Sequence, residues 1–159
     1  MEWDGGVTWR VAVDPVFADR TWDTGESGLK STGSGFYSEF TGEMHQLWSV
    51  YTRQRGVDRR TAYLFWFAQR AEDDAALQGN MPLRSQFGFI FSRDIDNVYR
   101  TMAHELAHGS FQLRHTFGDR YKIPKSTTDN LMDYTNGTVL KKYQWDLIHD
   151  PMTMPFVWA

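Results

Sequence analysis

The chain contains no cysteine. That excludes a disulfide scaffold and restricts any metal site to imidazole and oxygen ligands. Absent cysteine fits the cytoplasm, and it fits equally an exported protein that folds without oxidation. No stretch approaches membrane-spanning length, so no membrane insertion is expected. The start, MEWDGG, lacks the apolar segment of a secretory signal. Such an abrupt acidic-aromatic beginning fits a domain excised from a longer chain, and equally an ordinary short N-terminus. Nor does one sign of charge dominate. A formal charge of -3 gives no global steering toward nucleic acid or anionic membrane, and no nucleic-acid partner is expected. The basic clusters Arg53-Gln54-Arg55 and Asp58-Arg59-Arg60 read as solvated surface. There is no internal repeat, low-complexity tract or second-domain signal.

What is present suits one domain spanning 1–159, long enough to bury a hydrophobic core. Its 7 Trp, 7 Tyr and 11 Phe supply an aromatic-rich interior or cleft. Val7, Trp9, Val11 and Val13 alternate with polar or small residues, which predicts a first strand. The Gly-, Ser- and Thr-rich stretch from Asp23 to Gly35 predicts loop. Phe36, Phe40, Met44, Leu47, Trp48 and Tyr51 then recur at helical spacing, predicting an amphipathic helix whose stripe packs on a sheet. Ala62 to Ala68 is almost continuously apolar and suits a covered central strand. Ala71 to Arg84 reads as a polar connection with room for a short helix around Ala71 to Leu77. Phe87, Phe89 and Phe91 alternate with Gly88 and Ile90 in another strand, where Gly88 leaves room for a second backbone or marks a bulge. Asp94 and Asn97 are candidate caps for a helix carrying Val98, Met102 and Leu106 toward the core. A last helix is predicted from about Thr138 to His149, ended by Pro151. The tail to Ala159, with Phe156 and Trp158, packs back or meets a partner. The expected class is α+β, with a small twisted mixed sheet and a mostly helical or irregular C-terminal part.

The chemistry concentrates in His104-Glu105-Leu106-Ala107-His108. On a helix the two histidines lie about 40° apart in azimuth and about 6 Å apart along the axis. Both rings therefore reach one zinc ion, and Glu105 reaches toward the water that the metal activates. The stretch continues as HELAHGSFQLRHTF, from His104 to Phe117. On an unbroken helix His115 would sit about 10 Å beyond His108, too far for the same ion. A glycine turn at Gly109 would end the helix and return His115 as third ligand. The bland alternative for His115 is a surface loop histidine beside Arg114. Asp119 is the main substitute ligand, with Asp133 and His149 behind it. Further on, Asn130-Leu131-Met132-Asp133-Tyr134 places Met132 to form a soft floor below the imidazoles and Tyr134 to aim a phenol at a substrate carbonyl. Generic core for Met132 and ordinary packing for Tyr134 are the competing roles.

Taken together, these residues resemble the zincin metallopeptidases, and among them most closely the metzincins. That family joins an active-site helix to a third histidine after a glycine turn, and to a methionine turn with Tyr two residues beyond the Met. His104, Glu105, His108, Met132 and Tyr134 match residue by residue. The departures are specific. Phe111 stands where the family's glycine lies, and Arg114 where its third histidine lies, with His115 one position later. The resemblance implies a zincin-like fold, zinc as cofactor, and a protein or peptide substrate paired with the edge strand upstream of the metal helix. That strand would be Phe87 to Phe91, making Phe87, Gly88 and Phe89 substrate-binding, with the stretch from Arg114 to Asn130 lining one side of the cleft. The last third of the chain, with NLMDY and the WDLIHDP ending, also resembles metallopeptidase domains at the C-terminal ends of bacterial polymorphic toxins and secreted effectors. This likeness implies export as part of a larger protein, action in a target cell or periplasm, and a cognate immunity protein.

The expected reaction is hydrolysis of a peptide bond, with Glu105 as general base and the metal, aided by Tyr134, stabilising the oxyanion. Two alternatives stand beside it. One keeps the chemistry on peptide crosslinks of cell-wall polymer, and the other is a non-catalytic binding module with a structural metal.

Overall fold

Thr41 opens the first helix, α1 (Gly42–Arg55), its hydroxyl accepting the Met44 N–H at 3.2 Å. Glu43 in the first turn and Arg53 and Arg55 in the last complement the helix dipole. Gly56, at φ 74°, ends it and returns its N–H to the Thr52 carbonyl. The computed structural model describes residues 6–14, 21–23, 29, 40–71, 74–93 and 95–150. The predicted helix therefore starts later than its apolar stripe. Phe36 lies outside the described residues and Phe40 precedes the cap.

Three strands follow: β1 (Tyr63–Phe67), β2 (Gly79–Asn80) and β3 (Phe87–Phe91). They pair in the order β1-β3-β2, parallel between β1 and β3 and antiparallel between β2 and β3. The register sets Tyr63 opposite Phe87, Phe65 opposite Phe89 and Phe67 opposite Phe91. Each pair stacks, with centroids 5.3–5.7 Å apart and planes within 25°. This aromatic face meets α1, where Trp48 stacks on Phe87 at 5.0 Å and Met44, Leu47 and Val50 join Phe89 and Phe91 in one core cluster. The second helix, α2 (Ile95–Phe111), contacts β2 and β3. Met81 links it to the sheet's other face, touching both Gly88 of β3 and Gly109 of α2.

Several expectations change here. The Ala62–Ala68 run forms β1, but at an edge of the described sheet rather than its centre. Trp66 accordingly turns outward, 47% exposed, with its indole N–H donated to the Ser92 carbonyl. Residues 6–14 form no strand: their alternation finds no strand partner among the described residues, and Val11 and Val13 are 80% and 85% exposed. Among the described residues of 71–84 there is no helix; a turn at Asp74 leads instead into β2. At Gly88 the approaching groups are the Leu64 and Met81 side chains rather than a second backbone. Asn97 lies within α2, Asp94 lies outside the described residues, and only Val98 of the three predicted core positions is fully buried.

After α2 the chain is irregular to Lys141, tied by an isolated bridge between Asn130 and Val139. The buried amides of Asn130 and Gln144 exchange two hydrogen bonds, at 2.7 and 2.9 Å. Gln144 also accepts the Lys141 N–H, closing the start of α3 (Lys142–Ile148). The bridge takes up Val139, so α3 begins after the predicted Thr138. The predicted tail from Pro151 lies outside the described residues. The fold is mixed α+β, with three helices and a small three-stranded mixed sheet among the described residues. None of those helices is long and apolar enough to cross a membrane.

Candidate metal centre

α2 carries His104 and His108 one turn apart and runs on past both. Gly109 does not end it. The glycine sits inside the last turn because a Cβ there would lie 2.6 Å from the Met81 sulfur and 2.7 Å from the Ser85 carbonyl oxygen. Its role is close packing against the segment entering β3. The reversal comes at Gln112, whose φ of 57° is left-handed, while its N–H still bonds the His108 carbonyl at 3.1 Å. Leu113 N–H then reaches the Ala107 carbonyl at 3.0 Å. From there Thr116 N–H bonds the Met132 carbonyl at 3.2 Å, which fixes the loop holding His115.

The result is a triangle of imidazole nitrogens. The Nε2 atoms of His104, His108 and His115 lie 3.1–3.2 Å from one another. Nitrogens sharing a tetrahedral zinc at about 2.0–2.1 Å stand about 3.3–3.4 Å apart, so the triangle fits within a few tenths of an ångström. His104 Nδ1 meets the Leu131 carbonyl at 2.7 Å, and His108 Nδ1 the Leu113 carbonyl at 2.6 Å. Carbonyls only accept, so both Nδ1 atoms carry the proton and both Nε2 atoms present bare lone pairs. Two such lone pairs 3.1 Å apart cannot bond each other; a cation between them removes the conflict. These three residues are the group among the described residues that is close enough to hold a metal ion.

Burial keeps the imidazoles in the ligand form. It lowers His104 to about 4, outweighing the Leu131 carbonyl, with the Arg100 charge adding to the fall. His108 is driven well below its ordinary value, first by burial and then by the neighbouring histidines. His115 falls to about 4 through burial, then His104 and Lys125. His115 is only half-buried, marking the open side of the centre.

Glu105 is 7% exposed. Burial pushes its carboxyl up to about 8, offset in part by a hydrogen bond from the Met81 N–H. Behind it lies Gly79, where a Cβ would fall 2.7 Å from both Cγ and Oε1 of Glu105. Tyr134 stands at the rim, 52% exposed, its ring 5.0 Å from His115 and 6.0 Å from His104. Burial and the Glu105 charge raise its phenol. Met132 is fully buried and clusters with Ala107, Phe111 and Leu113. Phe117 stacks on His115 at 4.7 Å, and the Lys125 ammonium lies 4.4 Å from the Tyr134 ring centre.

The remaining candidates fall elsewhere. Asp119 is exposed in the turn after Phe117 and does not join the triangle. Asp133 is fully buried but directs its carboxylate to the Ser126, Thr127, Thr128 and Tyr134 N–H groups. His149 stacks on Trp145 at 3.8 Å. Phe87, Gly88 and Phe89 lie on β3, which is central in the sheet: it pairs with β1 along Phe87–Phe91, and Phe89 also faces β2, while Phe87 and Gly88 lie before the residues that pair with the two-residue β2. The strand against Glu105 is β2, where Gly79 and Asn80 pair with Ile90 and Phe89.

Sequence reasoning missed Gly79, Met81 and Arg100. Gly79-Asn80 reads as a turn, and two residues carry no periodicity. Arg100 gave one usable signal, its position four residues before His104 on the same helical face. Comparison with protein-family models, curated proteins and solved structures finds no match to the chain.

Proposed function

We propose that the chain is a zinc-dependent endopeptidase built on a zincin-like, metzincin-like site. The observation that carries this reading is the convergence of three Nε2 atoms within 3.1–3.2 Å, with a buried carboxyl next to His104 on the same helix. Zinc suits three neutral imidazoles and, when bound, supplies a Lewis acid that lowers the pKa of water and polarises a carbonyl. A bound zinc cation would draw the raised Glu105 pKa back down, and the carboxylate would then take the proton of the attacking water and pass it to the amine as the C–N bond breaks. The Gly79 backbone and Met81 N–H hold that carboxyl in place and shut bulk water from its back. Tyr134, at the open rim beside His115, donates its hydroxyl to the carbonyl oxygen as negative charge develops there. An extended substrate adds to β2 rather than to β3, since β2 borders Glu105.

A catalytic role is favoured over a structural metal by a group of three ligands among the described residues and by the exposure of Tyr134, which together would leave a coordination position and a way in. The substrate class proposed is protein, with cell-wall peptide crosslinks as the alternative carrying the same chemistry. The likeness to toxin and effector domains extends the proposal to delivery into a target cell and neutralisation by an immunity protein.

Metal analysis and peptidase assay of wild type, Glu105→Ala and His115→Ala test the reading together. Glu105→Ala is expected to keep zinc and lose turnover, because it removes the base and no ligand. His115→Ala is expected to lose both. Unchanged turnover in Glu105→Ala would overturn the mechanism, and normal zinc content in His115→Ala would remove His115 from the ligand set. Digesting unfolded protein and purified wall material side by side separates the two substrates.

A further inference from the structure

We infer that Arg100 is a positioning residue for the metal centre, holding the turn that carries Met132 and Tyr134 against α2 and fixing the carbonyl that orients His104. This rests on the metal reading above. Arg100 sits one turn before His104, and its guanidinium donates to three separate backbone carbonyls. Nε bonds Gly137 O at 3.0 Å, while Nη2 bonds Leu131 O at 3.1 Å and Asp133 O at 2.7 Å. The three acceptors bracket the segment from Leu131 to Gly137, so one side chain grips both ends of the turn.

The decisive contact is the shared one. Leu131 O receives both Arg100 Nη2 and His104 Nδ1, at 3.1 and 2.7 Å. A carbonyl has two lone pairs, and here both are engaged. The direction from which His104 is held is therefore set by where Arg100 holds Leu131. The same grip places Tyr134, because Asp133 O is the carbonyl immediately before it.

The guanidinium is half-buried and makes no carboxylate contact in this network. The nearby Asp133 carboxylate is occupied by the Ser126, Thr127 and Thr128 N–H groups. Holding a half-buried cation on neutral carbonyls carries a desolvation cost that the nearby Asp133 charge offsets only in part. The rigid fork explains its use: it spans three acceptors in fixed geometry, which a lysine ammonium cannot do.

The test uses Arg100→Lys and Arg100→Gln, with Arg59→Ala, an exposed charge on another turn, as control. Three quantities are read: zinc affinity of the metal-free protein by chelator competition, the visible spectrum after Co2+ loading, and thermal unfolding with chelator present. Arg100→Lys is expected to bind zinc about 10–100-fold more weakly, the range typical of lost support to a ligand. Its Co2+ bands shift while its metal-free unfolding stays near wild type, and Arg59→Ala matches wild type throughout. Wild-type affinity and spectrum in both Arg100 variants would overturn the inference. So would loss of affinity only in step with collapse of the metal-free fold, which leaves Arg100 a structural clamp. Wild type that takes up neither Zn2+ nor Co2+ would sink the metal reading itself, a separate outcome.

Discussion

Gly79 and Gly109 show how single residues set this site. Neither occupies a left-handed turn; each is small because another group fills the space of its missing side chain. At Gly79 that group is the Glu105 carboxyl, 2.7 Å from where a Cβ would be. Gly79→Ala is therefore expected to push the carboxyl off its line, since the adjoining strand backbone is pinned by its pairing to β3. Zinc content should remain at wild type while kcat falls by roughly 10–100-fold, because misplacement near 1 Å carries a cost of that order. Undiminished kcat would show that Glu105 has room to move. At Gly109 the obstacle includes the Ser85 carbonyl, which is backbone and cannot swing aside as the Met81 thioether can. Gly109→Ala gains about 1 kcal/mol of helix propensity, yet overpacking of this kind costs about 1–3 kcal/mol. Net destabilisation is expected in urea unfolding, and a more stable variant would refute the packing role.

Among the elements, the loop before Tyr134 depends on one carboxylate. Burial alone would raise the Asp133 pKa, but hydrogen bonds from Ser126, Thr128 and Tyr134 outweigh it and hold the carboxyl at about 2, below its ordinary 3.8. A folded pKa below the unfolded one stabilises the fold above the unfolded value and loses that contribution as pH falls through the folded value. Metal-free wild type should thus lose stability between about pH 4 and 2, and Asp133→Asn should be weaker at neutral pH with a flatter profile across that window. Parallel profiles in urea titrations would remove Asp133 as the cause. Asp133 itself was read from sequence only as a distant candidate ligand, because the N–H groups that claim it are backbone and carry no letter. The same limit explains Arg100, whose spacing from His104 was visible while its three carbonyl partners were not. The strands at Tyr63–Phe67 and Phe87–Phe91 were legible from their aromatic runs. Their order was not, because β2 has two residues and decides which of two similar strands lies in the middle. The histidine pair was legible because helical geometry alone brings i and i+4 together. The third histidine comes close enough to share an ion with the pair, but by another route than Gly109: the turn lies at Gln112, and a positive φ in a non-glycine residue leaves no mark in the sequence.

At the scale of the molecule, two hydrophobic clusters among the described residues divide the work. One joins α1 to the sheet through Met44, Leu47, Phe89 and Phe91. The other gathers Ala107, Phe111, Leu113, Met132, Leu140 and Ile148, uniting the end of α2 with the irregular C-terminal part and α3. The histidine triangle lies at that second junction, with two corners on α2 and one on the loop beyond Gln112. An ion held at all three Nε2 atoms would tie the loop carrying His115 to the helix carrying the other two. Binding to the folded state alone stabilises by about 2.7 kcal/mol when free metal stands at 100 times Kd. For a chain of this size each kcal/mol shifts Tm by roughly 2–4 °C, so zinc should raise the melting temperature by about 5–10 °C over chelator-treated protein. His108→Ala should abolish the shift, since its ring is a corner of the triangle. Glu105→Gln should keep most of it, because that carboxyl contacts Met81 and Gly79 rather than the three nitrogens. A melting temperature indifferent to zinc in wild type would mean that the triangle does not hold the ion, and a shift that survives His108→Ala would place the ion elsewhere.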